Sequence, residues 1–433
     1  MTAREAALRT LVACEKQDAW ADGFLKKTLK EGNLAGRDAA LATRLTFGVI
    51  QNRILLDWYI DRFAKGKIDL TVRCALRLGA YQMLFLSRIP VSAAVNESVK
   101  LTRKFSKNPA AAGLVNAVLR NIDRNKQELA PPQELSVRFS HPRWLVDLFV
   151  RRLGEADAVE LMECHNGEVP TMAQVNTCRA TTQQVLDEME CAGVDAQRHP
   201  WLEDCLTLQG TGSLEQLDAF QKGELYIQDV AARLAVQAAD PQPGMNVLDV
   251  CAAPGGKSFA AAIAMRDQGK ITSCDIHVHK QTLIENGAQR LGLNSITAIT
   301  QNGKERVTGW EENFDLVIAD VPCSGLGIIR KKPDIRYKDS KPLEGLPAIQ
   351  KAILENVCTY VKPGGVLLYS TCTLLERENE EVVRQFVSAH PEFSLEKFEL
   401  PGPVGVAKEG YVTLWPHIHG TDGFFIAKLR RGK

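Results

Sequence analysis

Residues Asn246–Ser258, NVLDVCAAPGGKS, constrain the fold of this chain more than any other stretch. β-Forming residues climb to Asp249, the chain breaks into small residues closed by Pro254, Gly255 and Gly256, and Lys257-Ser258-Phe259-Ala260-Ala261-Ala262 reads as a helix. A buried strand, a tight glycine turn and a helix N-terminus form the nucleotide-cradling corner of a doubly wound α/β domain. Glycine serves there because backbone N–H groups can approach a ligand with no Cβ in the way. The spacing is not G-x-G-x-x-G, which argues against a dinucleotide. Standing alone, the stretch also fits a plain βα turn with incidental glycines.

Such a corner occupies only part of 433 residues, and a chain of this length is expected to form two or three domains. No uncharged apolar run approaches the ~18 residues of a membrane span. The opening MTAREAALRT has no apolar core of a secretory signal, so the expected location is cytoplasmic. Eleven cysteines include no C-x-x-C pair, which supports neither a zinc site nor a thioredoxin-type motif. In a reducing compartment most of them should be small buried apolar residues. The formal net charge of +1 hides an asymmetry, because Lys and Arg exceed Asp and Glu in residues 1–130 and the balance is acidic beyond. A basic module points to a polyanionic partner, with a solvated charged surface as the alternative.

Residues 3–130 read as helix throughout: Leu8, Leu11 and Val12, then Leu41, Leu45, Val49 and Ile50, recur at helical spacing. Further helices are expected over about 71–86, 92–105 and 109–125, with Ile89-Pro90 ending the first of these. Pro131-Pro132 marks a linker. Residues 131–222 then read as a small α/β module, with helices from Arg143 and over 155–165, strands at 171–176 and 205–208, and a helix at 181–192 between them. From 223 to 433 strands and helices alternate: strands at 223–229, 246–250, 270–275, 296–301, 315–319 and 365–370, and a closing pair at 409–415 and 423–429. That alternation argues a Rossmann-like parallel sheet covered by helices on both faces.

Within the helical part, ALRLGAYQMLFLSRIPVSAAVNESVKLTRKF and AAAGLVNAVLRNI resemble the NusB-like RNA-binding helical domain, over about the first 125 residues. This resemblance implies RNA as the partner of the basic charge. Arg103, Lys104, Lys107, Arg120, Arg124 and Lys126 form the first cluster to test, since phosphate contacts position RNA without specifying its sequence.

Ligands of a doubly wound sheet sit outside the carboxyl ends of its strands. Four polar features fall there. Asp275 ends one strand, 19 residues after Gly256, where a carboxylate accepts hydrogen bonds from ribose hydroxyls. Asn302 ends the next, Asp320 another, and Ser370-Thr371-Cys372-Thr373 the last. Asp320, Pro322 and Cys323 share one loop and Cys372 lies on a second, so two cysteines at neighbouring strand ends line one pocket, though their loops promise no disulfide. With no further ligands for a metal, nucleophilic thiolate chemistry leads.

In order, DVCAAPGGKS, DVPCSG, IIRKKPDIRY and LLYSTCTLLERENEEVV resemble the signature blocks of the S-adenosylmethionine-dependent RNA cytosine-5 methyltransferases. With the NusB-like front, the whole chain is similar to the bacterial small-subunit ribosomal RNA methyltransferase B (Sun/Fmu) family. The resemblance implies Cys372 as the thiolate that attacks cytosine C6, Cys323 as acting in the later elimination, and Asp320 as binding the base's N3/N4 edge. It assigns S-adenosyl-L-methionine to Cys251, Ala252, Ala253, Pro254, Gly255, Gly256, Lys257, Asp275, Asn302 and Asp320. Where the family usually has Asp, this chain has Asn302, and Val321 stands where Ala is usual. Cys251 belongs to the cofactor loop and not to the reacting pair. Arg330, Lys331, Lys332 and Arg336 are expected to face the RNA backbone.

The expected partner is small-subunit ribosomal RNA, with no metal, no membrane and a monomeric chain. Transfer RNA as substrate and a non-catalytic RNA-binding assembly or antitermination factor are the alternatives. A nicotinamide dehydrogenase would need G-x-G-x-x-G where CAAPGGK stands.

Overall fold

The computed structural model describes residues 1–108, 110–338 and 341–433. The chain parts into two compact units, Met1–Gly167 with Ile329–Lys338, and Glu168–Ile328 with Asp339–Lys433.

The first unit is helical. Its helices are α1 (Ala3–Gln17), α2 (Ala21–Glu31), α3 (Gly36–Gln51), α4 (Arg53–Phe63), α5 (Leu70–Phe85), α6 (Val91–Phe105), α7 (Ala111–Asn125), α8 (Leu135–Arg138), α9 (Arg143–Leu153) and α10 (Glu155–Asn166). Thr2 and Glu5 form a capping box that satisfies the first N–H groups of α1. The helix expected over about 109–125 is α7, and its expected start at Pro109 lies outside the described residues. Leu45, Leu56, Leu76, Leu78, Val115 and Leu119 are fully buried, each contributing about 1.5–3 kcal/mol of burial. Gly79 shows how closely α5 and α7 pack, because a Cβ there would lie 2.4 Å from Leu119 Cδ1.

A correction concerns Arg336, expected to face RNA: it is fully buried in this unit. Its guanidinium donates to the carbonyls of Gln51 and His165 at 3.0 and 3.1 Å, to Asn166 Oδ1 at 2.8 Å, and at longer range to those of Phe139 and Ser140. Gln51 is the last residue of α3 and His165 lies in the last turn of α10, so the side chain caps carbonyls that have no intrahelical donor. Its neighbours act alike. Asp334 Oδ2 accepts the first N–H of α2 at 3.0 Å, and Lys338 binds the Asp18 carboxylate and carbonyl beyond α1 at 2.8 and 2.7 Å. Lys331 and Lys332 are exposed and Arg330 is half-buried.

The second unit carries β1 (Thr171–Val175), α11 (Thr182–Cys191), β2 (Asp195–His199), β3 (Leu202–Gln209), α12 (Asp218–Gln221), β4 (Leu225–Ile227) and α13 (Val230–Ala239). Then follow β5 (Asn246–Asp249), α14 (Gly256–Ala264), β6 (Lys270–Asp275), α15 (Val278–Leu291), β7 (Ile296–Thr300), β8 (Phe314–Asp320), α16 (Leu346–Val357), β9 (Val361–Thr371) and α17 (Glu380–Ala389). It closes with β10 (Phe393–Leu395), β11 (Phe398–Leu400), β12 (Gly405–Ala407), β13 (Tyr411–Leu414), α18 (Pro416–His419) and β14 (Phe424–Arg431).

A small antiparallel sheet has the order β2-β3-β1-β4. The strand expected to open the C-terminal part at 223 therefore completes this sheet instead. β2, DAQRH, was not expected, because it is a polar, largely exposed edge with no apolar alternation to reveal it.

The large sheet runs β10-β14-β9-β8-β5-β6-β7, with β13 against β14. β5 to β9 are parallel, while β10, β13 and β14 add an antiparallel flank, so the sheet is mixed rather than wholly parallel. The apolar run of β8 serves both faces: Leu316 and Ile318 pack with residues of α13, α14 and α15, Val317 and Ala319 with α16 and α17. Strand order reverses between β5 and β8, and a crevice outside the carboxyl ends of the strands follows from that reversal.

Candidate active site

β5 ends at Asp249, and the chain turns through Cys251–Gly255 into α14. Gly255 has φ +112°, a backbone that side chains rarely tolerate, and a Cβ on Gly256 would lie 2.9 Å from Gln228 Nε2. Behind the turn, Ser273 Oγ donates to Ser258 Oγ and Ser258 Oγ to Asp249 Oδ2, each at 2.7 Å. Burial pushes the Asp249 carboxyl up to about 7, against the hydrogen bond from Ser258 and the charge of Lys257. The Cys251 thiol is pushed far up by burial, and Asp249, Asp320 and Asp275 add to the shift. Cys251 is therefore held as the protonated thiol near neutral pH.

Lys257, in the first turn of α14, reaches Asp320 Oδ2 at 2.7 Å. Burial works against its charge, but Asp320, Asp249 and Cys372 outweigh burial and hold the ammonium above the ordinary lysine range. The register of β8 on β9 sets Ser370 opposite Asp320, and Ser370 Oγ donates to Asp320 Oδ1 at 2.7 Å. Each oxygen of Asp320 thus has one donor and keeps a further acceptor position.

The loops after β8 and β9 bring Cys323 Sγ and Cys372 Sγ to 3.2 Å. Both thiols are free, so the expectation of a shared pocket without a disulfide holds, at closer quarters than spacing alone could show. The hydrogen bond to Cys372 is the largest cause holding the Cys323 thiol well above its ordinary value, followed by burial and by the charges of Cys372 and Glu378. Either sulfur can donate in this contact, and the Lys257 ammonium is held partly by the charge of Cys372.

Asp275 is buried at the end of β6, accepting the His277 N–H at 3.1 Å and lying 3.5 Å from Lys280 Nζ. Asn302 is half-buried past β7, and its own loop engages it: Nδ2 donates to Glu305 Oε1 at 2.8 Å, and Oδ1 accepts the Lys304 N–H at 3.1 Å. Sequence reading missed Glu378, Asn379 and Gln350, all fully buried around the cysteine loops. The polar run RENEE looks like a solvated helix start, and only the topology turns it inward. No helix among the described residues is long and apolar enough to cross a membrane. No group of three or more His, Cys, Asp or Glu among them is placed to hold a metal.

Comparison with known proteins agrees with this arrangement. The family model for 16S rRNA methyltransferase RsmB/F matches residues 236–430, the NusB family model residues 1–124, and the RsmF/B-like ferredoxin-like domain residues 141–215. A probable ribosomal RNA small subunit methyltransferase B of Bacillus subtilis (strain 168) is 38% identical across 99% of this chain and 98% of its own. Its counterpart in Synechocystis is 32% identical across the full length of both. The crystal structure of PH0851 aligns with a TM-score of 0.82 at 25% identity, covering 100% of this chain and 99% of that one. The NusB-like front and the Rossmann-like domain anticipated from the motifs are therefore both present, and the chain belongs to the RsmB/F family of 16S ribosomal RNA methyltransferases.

Proposed function

We propose that this chain transfers a methyl group from S-adenosyl-L-methionine to C5 of a cytidine in small-subunit ribosomal RNA, through a transient bond between Cys372 and C6. The 3.2 Å approach of Cys323 and Cys372 beside the Lys257–Asp320 pair carries the reading.

The residues present fit the cofactor. Backbone N–H groups of a glycine turn lead into α14, and three carboxylates, Asp249, Asp320 and Asp275, act on Cys251 in the turn. That donor set suits a ligand carrying positive charge at one end and ribose hydroxyls at the other. Cys251–Lys257 would hold the methionine end, Asp275 the ribose and Asn302 the adenine amino group. When bound, S-adenosyl-L-methionine supplies an electrophilic methyl group.

Cytosine C5 is a poor nucleophile while the ring is aromatic. Addition of the Cys372 thiolate to C6 breaks that aromaticity and makes C5 enamine-like. Asp320, already fixed by Lys257 and Ser370, uses its remaining acceptor positions on the N3/N4 edge and favours protonation there as the adduct forms. After methyl transfer, loss of the C5 proton and departure of Cys372 as thiolate restore the base. Cys323, protonated and within hydrogen-bond reach of the departing sulfur, serves that second half. The target base has to leave any stack to reach Cys372.

Cys372→Ala should abolish methyl transfer while cofactor binding persists, and retained turnover would overturn the assignment. Cys323→Ala should accumulate a covalent protein–RNA adduct on denaturing gels. Adduct on Cys372→Ala instead would exchange the two roles. Bisulfite mapping of ribosomal and transfer RNA from cells with and without the protein identifies the substrate.

A further inference from the structure

Two adjacent buried residues hold the two cysteine loops, one each. Glu378 ends a short 3-10 turn and Asn379 stands just before α17, and neither is exposed to solvent. Glu378 Oε2 accepts the backbone N–H of Ser324, the residue after Cys323, at 2.9 Å. The same oxygen accepts Gln350 Nε2 at 2.9 Å, and Gln350 Nε2 also reaches the carbonyl of Pro322, the residue before Cys323, at 3.0 Å. The Cys323 loop is therefore fastened on both sides of the cysteine through one carboxylate oxygen. Tyr369 in β9 fixes the clamp itself by donating its hydroxyl to the Glu378 carbonyl at 2.6 Å.

Asn379 does the same for Cys372. Its Oδ1 accepts the Thr371 hydroxyl at 2.5 Å and its Nδ2 donates to the Thr373 carbonyl at 3.0 Å, so both chain neighbours of Cys372 are tied to one amide. Between the loops, Ser324 Oγ and Thr373 Oγ1 lie 2.6 Å apart, and the Gly327 N–H donates to the Cys372 carbonyl at 2.9 Å.

We propose that Glu378 and Asn379 are positioning residues that register the two cysteines separately, Glu378 setting Cys323 and Asn379 setting Cys372. The assignment rests on the two-cysteine reading above and divides the reaction between neighbours in sequence. Loss of the Glu378 clamp impairs elimination, and loss of the Asn379 clamp impairs addition.

The test incubates the full chain with transcribed small-subunit ribosomal RNA and S-adenosyl-L-methionine, and reads both turnover and covalent adduct. Glu378→Ala should lower kcat at least tenfold with KM for RNA little changed, and accumulate adduct as Cys323→Ala does. Glu378→Gln should restore the wild-type pattern, since its amide oxygen still accepts from Ser324. Should Glu378→Ala fail to fold, Gln350→Leu releases the same loop and should also accumulate adduct. Asn379→Ala, and the isosteric Asn379→Asp that loses the bond to Thr373, each combined with Cys323→Ala, should form at least tenfold less adduct than Cys323→Ala alone. Equal loss of adduct in all four disruptive variants, or adduct accumulating on the Asn379 variants, would overturn the division. If Cys323→Ala itself traps nothing, the covalent reading falls and the division with it. If it traps adduct while Glu378→Ala and Gln350→Leu do not, only the division falls.

Discussion

Lys257 Nζ stands 2.7 Å from Asp320 Oδ2, and this ion pair, almost closed to solvent on the lysine side, joins the first turn of α14 to the end of β8. It links the glycine turn to the cysteine pocket, because the same ammonium feels the charge of Cys372. Removing it leaves Asp320 without its cation and Cys372 without a nearby positive charge. Lys257→Gln should lower methyl transfer by roughly 10²-fold or more in a tritium-transfer assay. Unchanged turnover would remove Lys257 from the working site.

Asp249 makes stability depend on pH. Burial raises its carboxyl from 3.8 to about 7, so folding takes up a proton between those values. Its contribution is complete below about pH 4 and is lost as pH rises towards 7. Asp249→Asn keeps an acceptor for Ser258 and removes the titration. The urea midpoint of the wild type should fall relative to that of the variant as pH rises from 4 to 8, by at most about 4 kcal/mol in free energy. Parallel curves would show that the carboxyl is not titrating in that window.

Arg336 is drawn down to about 10 by burial, so it remains charged near neutral pH while its donors cap α3 and α10. Arg336→Ala should destabilise the helical unit by roughly 3–5 kcal/mol, since several buried carbonyls lose their donor at once. Arg336→Lys should recover only part of this, because an ammonium cannot reproduce the planar fork. Thermal unfolding by circular dichroism measures both, and a shift within error of wild type would remove Arg336 from the scaffold.

Asn302 invites a tempting repair towards the family's Asp. Its Nδ2 donates to Glu305 Oε1 at 2.8 Å, so Asn302→Asp would oppose two carboxylates. Calorimetric titration with S-adenosyl-L-methionine should show no tightening and a loss of up to about fivefold, in keeping with ~1 kcal/mol of like-charge repulsion. Tighter binding would mean that the loop rearranges to free position 302 for the ligand.

On α7, Arg120 and Arg124 are exposed one turn apart, whereas Lys126 pairs with Asp123 at 3.0 Å and Lys104 pairs with Glu5 at 2.5 Å. Of the basic cluster, Arg120 and Arg124, like the exposed Arg103 and Lys107, are thus better placed for phosphate than the two paired lysines. Arg120→Ala with Arg124→Ala should reduce the slope of log K against log salt for RNA binding by about 2. An unchanged slope would return this face to ordinary solvated charge.

The elements were legible where local pattern and burial agree. β5 and β8 announce themselves as apolar runs and β6 as a short stretch of small and β-branched residues, closed by Asp249, Asp320 and Asp275 in turn. Cys323 and Cys372 were legible as chemistry, but their contact depends on β8 and β9 being neighbours, which no local pattern encodes. Arg336 failed for the opposite reason. A basic run in a loop reads as solvated, and only carbonyls at the ends of α3 and α10, far away in sequence, make burial of that charge tolerable. Glu378 and Asn379 were hidden in the same way behind a charged run.

The ten residues Ile329–Lys338 belong to a unit otherwise made of the first 167. During synthesis the N-terminal helices emerge first, yet the acceptor that caps the start of α2 and the donor that caps the ends of α3 and α10 arrive only when Asp334 and Arg336 leave the ribosome. By then β5 to β8, with the glycine turn and Cys323, have already been made. The helical unit therefore stays incompletely capped until residues 168–328 have been made.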